Sequence, residues 1–117
     1  MAKYESRLKG NFDELLNLIN NGIRSGSISA SYENGSDYRQ NGVRCAVRVY
    51  ERYSMLGKNR VSMNVTLLGD GEELFVSVIT SGGSQAVFFK INTFGEQSFL
   101  QQAVDIVEKY KKTKSGG

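Results

Sequence analysis

Apolar residues recur at two periods along this chain, and the switches between them lay out its elements. Over residues 3–9, Tyr4, Ser6 and Leu8 fall on one side and Lys3, Glu5, Arg7 and Lys9 on the other. That period of two predicts a half-buried strand ending at Gly10. Asn11 and Glu14 have capping-box spacing, and Phe12, Leu15, Leu16, Ile19 and Ile23 follow at helical spacing, predicting a helix that stops near Arg24. Alternation then returns. Ile28, Ala30 and Tyr32 interleave with Ser27, Ser29 and Ser31; a polar stretch over 34–42 reads as a loop. Val43, Cys45, Val47 and Val49 interleave with Arg44, Ala46, Arg48 and Tyr50. Met63, Val65 and Leu67 repeat the pattern, as do Leu74, Val76 and Val78, so the middle of the chain predicts an antiparallel sheet with one buried face.

Parity tests the pairing of the last two runs. With Asp70-Gly71 as a two-residue hairpin loop, Leu67 faces Leu74, Val65 faces Val76 and Met63 faces Val78. A slip of one residue would send one partner of each pair to the other side. The glycine-rich stretch 80–85 predicts another turn, with a further strand over 87–91. Thr93 and Glu96 repeat the capping box, and Phe99, Leu100, Ala103, Val104, Val107 and Tyr110 give a long C-terminal helix its apolar face. The expected architecture is α+β, in the order β-α-β-β-β-β-(β)-α. It is a two-layer sandwich: a curved antiparallel sheet of five to six strands with both helices on one face. Residues 1–113 form one domain, and 114–117 a flexible tail.

Charge changes this picture little. The 117 residues carry 15 Lys and Arg against 12 Asp and Glu, but four of the lysines fall in the last nine residues. Before Lys109 the chain holds 11 basic and 12 acidic side chains, so sequence-specific nucleic-acid binding is not expected. No apolar run has the ~18–20 residues of a membrane span. One cysteine forms no internal disulfide, which points to the cytoplasm.

Candidate chemistry is sparse. Without histidine and with one cysteine, the usual zinc and copper ligand sets and the commonest general base are missing, so neither a metal, a cofactor nor an enzyme activity is expected. The carboxylates Asp13, Glu14, Asp70, Glu72, Asp105 and Glu108 each have a cap, turn or surface role. Cys45, in line with three valines, reads as a core residue. Ser81, Gly82, Gly83 and Ser84 form either a plain hairpin turn or an anion-binding nest of backbone N–H groups. Arg44, Arg48 and Arg52 share parity, and Arg60 joins them from the next strand. Beside Ser62, Asn64 and Thr66 they predict a guanidinium row on the uncovered sheet face, suited to an anionic ligand or acidic protein, or simply a solvated surface. Phe75, Ile79 and Phe88 fall on that same outer side and predict a patch covered either by a homodimer or by a loop or the N-terminal strand of the same chain. Gly116-Gly117 has the look of a carrier tail but follows a helix instead of a strand, which argues against that role.

The order of elements resembles the TATA-binding-protein-like and helix-grip architectures, a likeness of topology without a shared motif. The strings RCAVRVYERYS, NRVSMNVTLLGDG and ITSGGSQAVFFKINTFGE resemble a family of small bacterial cytosolic proteins of unknown function. That resemblance implies no activity and transfers no site residues. The expected function is a non-enzymatic binding or accessory module acting through its outer sheet face and loops. The alternative is an apolar small-molecule binder with a pocket under the C-terminal helix.

Overall fold

A computed structural model of the chain describes residues 1–54, 59–82 and 91–115. Five strands and two helices follow in the order β1 (Ala2–Lys9), α1 (Phe12–Gly26), β2 (Ser31–Gln40), β3 (Val43–Ser54), β4 (Asn59–Asp70), β5 (Glu73–Gly82) and α2 (Ile91–Ser115). The strands form one antiparallel sheet in the order β1-β5-β4-β3-β2. Both helices lie on one side of it, α2 over β5 and β1, α1 beside it over β4. The molecule is therefore an α+β two-layer sandwich whose other sheet face carries no helix among the described residues.

Helix α1 forms because its apolar residues fall on one stripe and its first turn is capped. Asn11 is extended and its side-chain oxygen accepts from the Glu14 N–H at 2.9 Å. Glu14 does not return the bond expected of a capping box. Its carboxylate accepts from the Tyr110 hydroxyl at 2.8 Å and pairs with Lys114 at 3.0 Å, both on α2. Phe12, Leu15, Ile19 and Ile23 are buried against the sheet and α2. The helix runs past Arg24 to Gly26, and Ile28, expected on a buried strand face, lies exposed in the turn that follows.

Two hairpins set the registers. Asn41 and Gly42 have φ of 53° and 85°, the positive pair that a type I′ loop requires, and they join β2 to β3. Most of the stretch 34–42 is thus strand, where a loop was expected. At the β4–β5 hairpin only Gly71 has positive φ, at 62°, the II′ pattern with Gly71-Glu72 as the loop. The pairing differs from the expected one by two residues: Leu67 faces Val76, Val65 faces Val78 and Met63 faces Thr80. A shift of two keeps every side chain on its face, so Met63 and Val78 point at the helices and are fully buried, as parity predicted.

The core lies between this face and the helices: Met63, Val65 and Leu67 from β4, Leu74, Val76 and Val78 from β5, Phe99, Ala103 and Val107 from α2. α2 opens at Ile91, two residues before the expected Thr93 cap and where the end of a strand was expected; the rest of that strand lies outside the described residues. It continues through Lys114 to Ser115, so Lys114 and Ser115, expected in a flexible tail, sit on the helix.

Tyrosine hydroxyls tie the layers together. Tyr4 on β1 donates to the Glu108 carboxylate on α2, and Tyr50 on β3 donates to Asn20 Oδ1 on α1 at 2.8 Å. Burial, assisted at Tyr4 by the bond to Glu108, pushes both phenols up from their ordinary 10 to about 12. The folded protein therefore holds these protons more tightly than the unfolded chain does. Their stabilisation is complete below pH 10 and is lost as the pH rises towards 12. Melting temperatures measured across that window should fall, and Tyr50→Phe should flatten the fall. An unchanged slope in the variant would remove Tyr50 as a cause.

Candidate functional site

The strand registers define the open face row by row. Tyr38, Cys45, Leu68 and Phe75 lie side by side on β2, β3, β4 and β5, with Arg7 of β1 at the end of the row. Along β3, Val43, Cys45, Val47 and Val49 point to the same side, and Ile79 of β5 lies opposite Asn64 on it. An apolar band across four strands thus meets an apolar column along β3. Tyr38 is 64% exposed, Leu68 42% and Ile79 38%, while the valines, Cys45 and Phe75 are half-buried. No helix covers them among the described residues.

The facing of β3 is the reverse of that expected. Its arginine parity looks towards the helices, and its valine parity looks out. Directly opposed residues share a face, and Arg48 opposes the buried Val65, while Val47 opposes Thr66. Cys45, expected in the core, is correspondingly a half-buried thiol of the open face.

β3 sits at the margin of the helix layer, and long side chains close that margin. Ala46 and Tyr50 are buried there, and the arginines between and beside them lay their stems over apolar surface. The Arg44 guanidinium lies 4.1 Å from the Phe12 ring centroid and 3.0 Å from Asp13 of α1. Arg48 donates to Val47 O at 2.9 Å, to Ser36 O at 3.2 Å and to Asp37 at 3.0 Å. Arg52 donates to Gly95 O at 3.3 Å and stacks on Phe99 at 4.8 Å; burial draws its guanidinium below the ordinary value.

The expected row of four arginines on one face is therefore split. Arg44, Arg48 and Arg52 tie β3 to the helices and to β2. Arg60 alone lies on the open face, paired with Glu51 at 2.7 Å and set over the Tyr53 ring at 5.2 Å. Each guanidinium has a carboxylate, carbonyl or ring of this chain beside it.

Ser81 and Gly82 end β5, and the Gly82 N–H donates to Glu96 of α2 at 2.6 Å. A carboxylate of the chain itself occupies the amide that the anion nest would use. Glu96 also lies 3.3 Å from the Met1 ammonium group, so it ties the end of β5 and the start of β1 to α2. Gly83 and Ser84 lie outside the described residues. Of the predicted patch, Phe75 and Ile79 are on the open face as expected, and Phe88 lies outside the described residues.

An open groove of about 700 Å³ at the start of α1 brings Lys9, Arg39, Arg44 and Lys114 together with Asp13, Glu14 and Glu72. Three of these four cations have a carboxylate beside them: Arg44 has Asp13, Lys114 has Glu14 and Lys9 has Glu73. On the side of α2 where the alternative apolar pocket was expected, Phe99, Ala103 and Val107 have no exposure. Among the described residues no three His, Cys, Asp or Glu side chains are grouped to hold a metal ion, and no helix is long and apolar enough to cross a membrane.

Sequence reasoning missed Tyr38, Leu68 and the outward valines. Two signals could have found them: Asn41-Gly42, the strongest short hairpin signal, and the presence of Ala46 and Tyr50 among the arginines of β3.

Fold and face together define a small α+β sandwich domain with an apolar surface on its uncovered sheet. The chain belongs to the family described as Family of unknown function (DUF6054), whose model matches residues 1–111. No curated protein and no solved structure matches the chain.

Proposed function

We propose that this domain is a non-enzymatic binding module that docks a protein partner on its open sheet face. The observation that carries the reading is the facing of β3. A strand with one valine parity and one arginine parity would ordinarily bury its valines, and here they are held towards solvent beside Leu68, Phe75 and Ile79. Contiguous exposed apolar surface of this kind is uncommon on monomers and marks interaction sites. The β1 margin of the face adds Lys3, Arg7 and Lys9, with Glu5 and Glu73 3.8 Å from the two lysines. A partner with an apolar centre and an acidic rim fits this surface. The setting we propose is the cytoplasm, where Cys45 stays a thiol. The order of one strand, one helix, four strands and one helix supports the likeness to TATA-binding-protein-like folds.

Peptides selected from a random display library on the purified protein test the site. Leu68→Asp should weaken the selected peptides by at least about tenfold, roughly 1.4 kcal/mol. Arg44→Ala should leave them bound. Peptides that keep their affinity for Leu68→Asp but lose it for Arg48→Ala would move the site to the arginine side of β3.

A further inference from the structure

Among the described residues the sheet has two free edges, and they are built differently. β1 carries Lys3 and Lys9 and packs against α2, both ordinary ways of blunting an edge. Among the described residues β2 packs chiefly on β3, is exposed at nine of its ten residues, and holds neither lysine nor proline, its charges being Glu33, Asp37 and Arg39.

Its backbone phase follows from the hairpin. Gln40 and Val43 close the Asn41-Gly42 loop, so their N–H and C=O groups turn towards each other. At a period of two, Tyr38 and Ser36 turn the same way, in keeping with the 3.2 Å bond from Arg48 of β3 to Ser36 O. Arg39, Asp37 and Gly35 therefore direct their amide groups away from the sheet, along the free edge.

We propose that this edge pairs antiparallel with the β2 edge of a second copy of the chain, about a two-fold axis at Tyr38. Any two-fold centred on a residue of β2 brings the outward amides into phase, and the side chains choose the centre. A centre at Asp37 sets carboxylate against carboxylate. A centre at Ser36 draws Glu33, at the irregularity between Tyr32 and Asn34, into the pairing. A centre at Tyr38 sets Asp37 opposite the second copy's Arg39, and Arg39 opposite its Asp37, at the two hydrogen-bonded positions beside the axis. Opposite charges placed directly across an antiparallel pair are stabilising. Asp37 already accepts from Arg48 at 3.0 Å, and a carboxylate has room for a second donor. On the open face Tyr38 meets its own image.

The joined sheets would share one apolar band, running from Phe75, Leu68, Cys45 and Tyr38 of one copy into the same residues of the other. This proposal stands apart from the docking surface, because edge pairing leaves both open faces free.

Light scattering at high micromolar concentration should give twice the 13.0 kDa of the chain. Arg39→Asp, which puts two carboxylates opposite each other at both positions, should halve that mass. A wild-type monomer overturns the proposal, as does a dimer whose mass Arg39→Asp leaves unchanged. The register is checked separately by Tyr38→Cys in a Cys45→Ser background. The paired Cα atoms at a non-hydrogen-bonded site lie about 4.5 Å apart, within disulfide reach. Oxidation should then yield a covalent dimer, and its absence rejects the axis at Tyr38.

Discussion

Phe99→Ala is expected to destabilise the fold by about 3–5 kcal/mol, the range for removing a buried phenyl ring. Phe99 has no exposure, and α2 presses it onto the sheet. Its ring also carries the Arg52 guanidinium, 4.8 Å from the centroid. Alanine there opens a cavity and removes the surface on which a partly buried cation rests. Domains have about 5–15 kcal/mol of stability in all, so a large fraction of it goes with this one ring. Urea denaturation measures the change as a fall in midpoint at constant slope. Phe99→Leu, which keeps most of the apolar volume, should lose less. A loss for Phe99→Ala below about 1 kcal/mol would mean that the helix does not pack as described.

How far the sequence led depends on how each element closes. β1 and α1 were legible because both are locally complete: a strict alternation ended by Gly10, and an apolar stripe capped by Asn11. β4 and β5 were legible in facing though not in register, because parity survives a shift of two residues. β2 was hidden by its composition. Its ten residues hold only two tyrosines of any apolar bulk and are exposed almost throughout, so no hydrophobic period marks it. Its evidence lies in the Asn41-Gly42 turn that follows.

β3 failed for a different physical reason. Facing was read from hydrophobicity, on the premise that valines go in. Arginine, with its long apolar stem and a head that stacks on rings, can instead line the inside of a sheet at the margin of a helix layer. Phe12, Phe99, Asp13 and Gly95 O supply the partners that make this workable, and none of them is near β3 in sequence. The open face became legible only once those tertiary contacts were known. A strand that breaks the local rule in this way marks either a functional site or a strained one.

Exchanging one valine for aspartate on each side of the sheet should separate the two faces sharply. Val76 of β5 is fully buried, with Leu67 opposite it on β4 and Ser6 on β1. Val76→Asp places a carboxylate among these residues, where the neighbouring cation, Lys111 of α2, is already held by Ser6 Oγ and Glu108, and the effective penalty for burying a charge is several kcal/mol. Added to the lost apolar contacts, this approaches the whole stability of a small domain, so the variant is expected to be unfolded or nearly so at room temperature. Val47 of β3 is half-buried on the open face, between Ser36 of β2 and Thr66 of β4. Val47→Asp leaves its carboxylate in water and loses strand preference worth up to about 1 kcal/mol. Circular dichroism melts of the two proteins decide between the facings. A folded Val47→Asp beside an unfolded Val76→Asp is the expected result. If Val47→Asp unfolds as well, β3 faces its valines inward and the open apolar band does not exist. If it folds, the same protein should bind peptides selected on the wild type less tightly, because the new charge stands in the column next to Cys45, where the band crosses it.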